Sequence, residues 1–319
     1  MLIENVHTRT FKTLRVSLLN SCNLACDYCV AGEPKSASSL SRSEKPLPYT
    51  ALAEIIAKLH AILGLETIRL TGGEPTLYTE LPLLVKKLEG LNVPIKLTTN
   101  GLLLKNTLGK LPEKAFDSIN ISLDSLDENI FFQISRRKGL HKILEGIELA
   151  ISKNIPVKLN CVVMQGVNEN QILPLLEYAS RRKIEIRFLE LMRMGHVQGE
   201  SFESRFFSEA RILAKIETQY ALEKLTREPS STANYWRTNT DFTFGIIANE
   251  SEPFCQDCNR LRLDSMGNIY GCLSSNTPLR IVEHIENDLK VNELLMKAMA
   301  QKQPLKFKGS SLSMLEIGG

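Results

Sequence analysis

Cys22-Asn23-Leu24-Ala25-Cys26-Asp27-Tyr28-Cys29 carries three thiols separated by three and then two residues. On a loop, that spacing lets three sulfurs face one centre. Soft thiolates select iron–sulfur clusters, zinc or copper(I). A structural zinc site takes four protein ligands, and no fourth Cys or His lies near this run. Three thiolates on a four-iron cube leave one iron without a protein ligand, open to a small reactive molecule. The apolar residues 14–19 directly precede the loop, and barrel enzymes place their chemistry where strands end. The spacing therefore favours a cluster over zinc.

Outward from this loop, the first two thirds of the chain alternate strand and helix signals. Strands are predicted at 14–19, 67–71, 95–99, 119–123, 157–163 and 184–189. Helical periodicity is clearest at 51–63, where Leu52, Ile55, Ile56, Leu59 and Leu63 form one apolar stripe. Further helical patterns run near 80–88, 142–153 and 170–182. Six such repeats imply a parallel sheet with right-handed crossovers. The predicted fold is α/β, an incomplete (βα)₆ TIM-like barrel. The Ser-rich run 36–43 reads as a loop.

Alternation along the strands adds a second constraint, because successive side chains point to opposite faces. One parity is apolar and includes Leu14, Val16, Ile68, Leu70, Ile95, Leu97, Ile119, Ile121, Leu159 and Ile186. Cys161 shares it and reads as core. The other parity holds Arg15, Ser17, Arg69, Thr71, Lys96, Thr98, Asn100, Asn120, Ser122, Asp124, Lys158, Asn160 and Arg187. A closed barrel fills its interior with branched apolar side chains. An interior lined with cations is costly unless they meet an anion, so a lumen holding a polyanionic small molecule is expected. The alternative is an open sheet with one wetted face.

Composition narrows the function classes. Of 319 residues, Lys and Arg number 39 against 36 Asp and Glu, too balanced for a nucleic-acid-coating surface. No apolar run approaches the ~18 residues of a membrane span, and the N-terminus does not read as a secretory signal. Six of the 7 cysteines fall into two triplets, which argues against a disulfide framework and for a reducing cytoplasm.

The second triplet is Cys255, Cys258 and Cys272, again one ligand short of four. A zinc knuckle completed by His284 is the alternative to a second cluster. Between these cysteines, Asn259-Arg260-Leu261-Arg262-Leu263 puts two arginines on one face of a strand. Residues 264–268 read as a turn and 269–272 as the return strand. Strand two ends in Thr71-Gly72-Gly73-Glu74-Pro75, where paired glycines allow close backbone approach or positive φ. The chain ends in Gly318-Gly319, small enough to thread into a narrow cavity.

The Cys22-x₃-Cys26-x₂-Cys29 loop with Tyr28 before its last Cys, followed by Gly72-Gly73-Glu74-Pro75, resembles the radical S-adenosylmethionine enzymes. Within them, the second triplet, the Cys-Asn-Arg-Leu-Arg-Leu run and Thr98-Thr99-Asn100-Gly101, Ile121-Ser122-Leu123-Asp124, Gln165-Gly166-Val167-Asn168 and Ile186-Arg187-Phe188 resemble the GTP 3′,8-cyclases of molybdenum cofactor (molybdopterin) biosynthesis. The resemblance implies two [4Fe-4S] clusters, on Cys22, Cys26 and Cys29 and on Cys255, Cys258 and Cys272, with S-adenosyl-L-methionine on the open iron of the first. It implies S-adenosylmethionine contacts from Tyr28, Gly72, Gly73, Glu74, Ser122 and Met192. Arg260 and Arg262 become the catalytic arginines, and they join Arg15, Arg69, Thr98, Lys158 and Arg187 around GTP. The implied reaction abstracts hydrogen from ribose C3′, joins that carbon to guanine C8 and reduces the product, (8S)-3′,8-cyclo-7,8-dihydroguanosine 5′-triphosphate.

Also implied are an electron donor such as a flavodoxin or ferredoxin and a downstream cyclic pyranopterin monophosphate synthase, with no nucleic-acid or membrane partner; a homodimer stays open. The chain divides into a barrel, residues 1–220, and a second-cluster and substrate-binding region, residues 221–319, which closes the barrel mouth. It departs from the family's pattern at Thr76-Leu77-Tyr78-Thr79, where a basic pair is usual, at Asn20-Ser21, where Asp-Arg is usual, and at 292–310, which is basic instead of carrying an Arg/Asp-rich helical stretch. The competing readings are a paralogue acting on another nucleotide, a peptide maturase with an auxiliary cluster, and a non-catalytic iron–sulfur protein.

Overall fold

Alternating segments form six strands, β1 (Thr13–Ser17), β2 (Thr67–Thr71), β3 (Ile95–Thr99), β4 (Ser118–Ser122), β5 (Val157–Val163) and β6 (Glu185–Glu190). The computed structural model describes residues 9–32 and 45–318 and sets these strands side by side in chain order, each parallel to the next. The Ser-rich run 36–43 lies outside the described residues. The crossovers carry α1 (Tyr49–Leu63), α2 (Leu81–Leu88), α3 (Leu104–Leu108), α4 (Glu128–Ser135), α5 (Leu140–Ser152) and α6 (Ile172–Arg182). In α1 the stripe Leu52, Ile55, Ile56 and Leu59 is buried, and the helix stops at Gly64, whose φ of 59° lies in the left-handed region.

The apolar parity of the strands packs against these helices. Leu14, Val16, Ile68, Leu70, Leu97, Ile121, Leu159, Cys161 and Ile186 all belong to one core cluster. Each buried Leu or Ile contributes about 1.5–3 kcal/mol. A one-residue slip would expose the whole set, so this face fixes the register. The opposite parity faces the interior of the curve, as expected for a partial TIM-like barrel.

The rest of the chain contributes α7 (Gly199–Glu203), α8 (Glu209–Glu217), β7 (Leu222–Lys224), β8 (Asn234–Thr238), β9 (Thr243–Ile247), β10 (Arg260–Leu263), β11 (Asn268–Tyr270), β12 (Leu279–Arg280), α9 (Asp288–Ala300) and α10 (Met314–Ile317). These strands extend both edges of the same sheet. β9 joins β6 in parallel and carries β8 and β7 antiparallel, while β10 joins β1 in parallel and carries β11 and β12. The hairpin after Cys258 forms as expected, with Asp264 Oδ1 accepting from the Met266 and Asn268 amides at 2.9 and 2.8 Å. Of the basic stretch 292–310, residues 292–300 belong to α9, where Val291, Leu294, Leu295, Ala298 and Met299 form a buried stripe and Lys297 stays exposed.

Candidate active site

The cysteine loop is clamped from two sides. The Ala25 and Asp27 amides donate to the carbonyls of Ser135 and Ile134, both at 3.0 Å, which seats the loop on the end of α4. From β2, the Gly73 amide donates to Leu19 O at 2.7 Å and the Glu74 amide to Ser21 O at 2.9 Å. Gly72 has φ of 146°, and a Cβ there would lie 2.7 Å from Leu19 O. The glycine pair is thus required by the cysteine loop itself. Burial pushes the Cys22 thiol up to about 11, and burial followed by neighbouring thiols and Asp124 raises Cys26 and Cys29 as well.

Such thiols give up their protons only to a metal that returns the charge. Three free thiols carried on one loop, two of them held neutral by burial, are the soft donors that an iron–sulfur centre takes as thiolates, so the donor set fits such a centre.

Around the loop, the Tyr28 hydroxyl donates to Asp124 Oδ2 at 2.8 Å, and Asp124 Oδ1 accepts from the Val162 amide at 2.8 Å. Burial lifts the Asp124 carboxyl to about 6 against these hydrogen bonds. Asn168, fully buried, donates to the carbonyls of Asp124 and Val162, both at 2.9 Å. The Glu74 carboxylate is buried and spent on structure. It accepts from Thr99 Oγ1 at 2.6 Å, the Asn100 amide at 2.7 Å, and the Thr76 amide and hydroxyl at 3.0 and 2.5 Å. Its side chain therefore locks the end of β2 to the end of β3. Ser122 is the last residue of β4 on the interior parity. Met192, just past β6, packs with Met194, Tyr270, Leu312, Met314 and Ile317 against the C-terminal segment.

The interior cations stand in register. Arg262 of β10 is paired with Arg15 of β1, Arg15 with Arg69 of β2, and Arg69 with Lys96 of β3. Burial first, then Arg262, Arg69, Arg260 and Arg187, holds the Arg15 guanidinium well below the usual arginine range. Its Nε is buried without a hydrogen-bond partner. Arg69 is lowered to about 10 by burial and by Arg187 and Arg260. The Asn120 amide, oriented to satisfy both neighbours, accepts from Arg69 at 3.1 Å and Arg187 at 2.6 Å. Thr98 Oγ1 lies 3.4 Å from Arg69 Nη1. Arg187 also donates to Asn160 at 3.0 Å. Lys158 meets Glu185 at 2.5 Å, and Tyr235 donates to the same carboxylate at 2.8 Å, so the β5–β6 side of the floor is partly neutralised.

The second triplet lies beside this row, at the start of β10. Arg260 Nη1 is 3.5 Å from the Cys258 sulfur and Arg260 Nη2 donates to Ser230 O at 2.7 Å. Burial pushes the Cys258 thiol up, but Lys302, Arg260 and a backbone hydrogen bond outweigh it and bring it down to about 6. Cys255 is raised to about 11 by burial and the other two thiols. These thiols likewise fit a centre that takes thiolates, and His284 lies on a separate turn at Val282–His284. Arg262 Nη1 donates to Gly318 O, and a Cβ on Gly318 would meet Ser17 at 2.7 Å. The penultimate glycine therefore reaches the interior; Gly319 is outside the described residues.

Sequence reasoning did not single out Lys96, Asn120, Asn160, Asp124 or Lys302 as site residues. The first four carry the interior parity and could have been chosen from it. Lys302 gave only a position in a basic run, and its place depends on how α9 packs.

Two family models match the chain: Radical SAM superfamily over residues 16–179 and Molybdenum Cofactor Synthesis C over residues 184–307. Relatives named GTP 3′,8-cyclase include that of Synechocystis, 38% identical over 98% of this chain and 93% of its own. That of Staphylococcus epidermidis is 37% identical over 86% and 82%, and that of Helicobacter pylori 36% over 96% and 94%. Among solved structures, Streptococcus suis SuiB bound to S-adenosylmethionine superposes with a TM-score of 0.62 at 18% identity, covering 88% of this chain and 65% of that longer one. Native anSMEcpe with bound AdoMet gives 0.57 at 14% identity, over 88% and 82%. At these identities the two structures speak to the fold.

Proposed function

Because this chain belongs to the GTP 3′,8-cyclase family of radical S-adenosylmethionine enzymes, we propose that its in-register arginines hold the GTP it cyclises in molybdenum cofactor synthesis. The chain is an enzyme of that type, using an iron–sulfur cluster and S-adenosylmethionine. When bound, those groups supply the 5′-deoxyadenosyl radical that takes hydrogen from the ribose. The protein's own residues position and shield the reacting atoms.

One observation carries the assignment of the interior to the nucleotide. Arg15 stands in register between Arg262 and Arg69, and burial, then these and two further arginines, hold its guanidinium below the usual range, an arrangement that a polyphosphate relieves. Arg15, Arg69 and Arg187, with Thr98 and Lys158, take the phosphates, while Arg260 and Arg262 orient the nucleoside end beside the second triplet. In this reading Cys22, Cys26 and Cys29 hold the first cluster, with Tyr28, Gly72, Gly73, Glu74, Ser122 and Met192 around S-adenosylmethionine. Cys255, Cys258 and Cys272 hold a second one. Residues 1–220 act as the radical-generating part and 221–319 as the substrate-binding part. A flavodoxin- or ferredoxin-like donor reduces the enzyme, and a cyclic pyranopterin monophosphate synthase consumes the product.

The test is anaerobic, with reconstituted enzyme, S-adenosylmethionine, a reductant and GTP. Formation of 5′-deoxyadenosine should rise on adding GTP and be matched by cyclised nucleotide. Equal rates with and without GTP would overturn the assignment. Arg262→Ala removes a buried charged partner, a loss of about 2–5 kcal/mol, and Arg260→Ala a half-buried one. GTP affinity should fall roughly 30-fold or more in Arg262→Ala and by less in Arg260→Ala, with GTP-independent S-adenosylmethionine cleavage retained. Unchanged affinity in both variants would remove these arginines from the site.

A further inference from the structure

The two thiol triplets differ in what touches their sulfurs. Around Cys22 the donors are uncharged: the Leu24 amide at 3.4 Å and the Asn100 side chain at 3.5 Å. The Cys258 sulfur instead faces two cations, Lys302 Nζ at 3.3 Å and Arg260 Nη1 at 3.5 Å. Arg260 is already assigned to substrate. Lys302 is not, and it comes from beyond α9, more than forty residues along the chain.

Its placement is built. Lys302 is 7% exposed, donates to Arg260 O at 2.7 Å, and lies 5.1 Å from the centre of the Phe11 ring. Its hydrogen-bond partners are thus a carbonyl and a sulfur, not a carboxylate. The preceding helix end is seated on the second triplet. A Cβ on Gly271 would overlap the Ala298 carbonyl, and the Gly271 amide donates to Gln301 Oε1 at 2.8 Å. On the other side Arg9 donates to the carbonyls of Cys255 and Gln303 at 2.7 and 2.8 Å. A buried ammonium costs several kcal/mol unless it is paired. The Arg260 carbonyl and the Phe11 ring offset part of that cost, and a negatively charged sulfur centre would offset more.

We propose that Lys302 tunes the second centre by donating a charged hydrogen bond to the Cys258 sulfur, which holds that centre's reduction potential above that of the first. Reduction adds negative charge that spreads onto the ligating sulfurs, so a fixed cation and an N–H···S bond stabilise the reduced form more than the oxidised one. Lys302 acts through Cys258 and is a positioning and tuning residue. The proposal rests on the second triplet holding a cluster.

The experiment is a potentiometric titration of the reconstituted holoenzyme followed by electron paramagnetic resonance. Wild type should show two reduction waves, and Lys302→Met should move the higher one to more negative potential while leaving the lower in place. Lys297→Met, which alters an exposed lysine paired with Glu293, should move neither. A higher wave unchanged in Lys302→Met overturns the proposal. Should that variant lose its iron, wild-type enzyme labelled with ¹⁵N at lysine Nζ decides the matter. Hyperfine coupling of one lysine nitrogen to the reduced second centre supports the proposal, and its absence overturns it. Iron content separates the premise: Cys255→Ala should halve bound iron, and unchanged iron would instead sink the second-cluster reading.

Discussion

A methyl group at Gly73 would overlap the Ser21 carbonyl, and although the Leu315 side chain beside it could yield, the Ser21 backbone could not without moving the loop. Gly73→Ala should therefore displace the cysteine loop, at a cost of about 1–3 kcal/mol. The expected result is lower iron per chain after reconstitution and a lower melting temperature. Gly90, with open space where its Cβ would sit, is the control. Gly90→Ala should change stability by no more than about 1 kcal/mol and leave iron unaffected. Equal iron in both variants would show that the glycine pair is not what shapes the loop. The pair was legible in the sequence as a place where backbone comes close. Which backbone was not legible, because residues 19–21 reach β2 only through sheet pairing.

Among the elements, those with strict alternation or a full helical stripe were legible. The strands at 67–71, 95–99 and 157–163 form over those residues, those at 119–123 and 184–189 are shifted by one, and the first ends at Ser17, two residues earlier than expected. Legibility failed where an element is short or borrows its burial from a neighbour. α3 and α4 are 5 and 8 residues long, and β7 to β9 owe their pairing to the edge offered by β6. That edge depends on α8, whose first residue Glu209 is held by tertiary contacts alone. Its amide donates to Glu190 at 2.8 Å, and Asn234 Nδ2 bridges Glu209 and Glu252 at 3.3 and 2.7 Å.

Burial, together with Glu252, lifts the Glu209 carboxyl to about 7. A carboxyl raised above its unfolded value adds stability that is complete below the unfolded pKa, near 4.3, and is lost as pH rises through the folded one. Melting temperature should thus decline between about pH 4.5 and 7.5 in wild type, and Glu209→Gln should flatten that part of the profile. An identical decline in the variant would locate the titration elsewhere.

At the scale of the whole molecule, the barrel carries an interior that folding alone would not select. Packing, capping and register favour the apolar parity, while the opposite parity gathers Arg262, Arg15, Arg69 and Lys96 across four adjacent strands. At close range each like-charge pair costs about 4 kcal/mol at an effective dielectric of 20. Arg262 is buried and Arg15 and Arg69 are half-buried, so salt screens this repulsion only in part. Arg15 bears most of it, with Arg262 and Arg69 in register on either side and its Nε unpartnered.

Arg15→Met keeps the bulk of the side chain and removes the charge. Replacing buried charge by apolar volume is worth about 1–4 kcal/mol, so the variant should melt several degrees higher than wild type without ligand. The order should reverse when a polyanion is present. Tripolyphosphate at a hundred times its Kd adds about 2.7 kcal/mol to wild type by mass action, and should add far less to Arg15→Met. Thermal melts of both proteins, with and without tripolyphosphate, test this directly. A variant less stable than wild type in plain buffer would mean that the arginine row is held by partners within the protein and not by the anion it is built to receive.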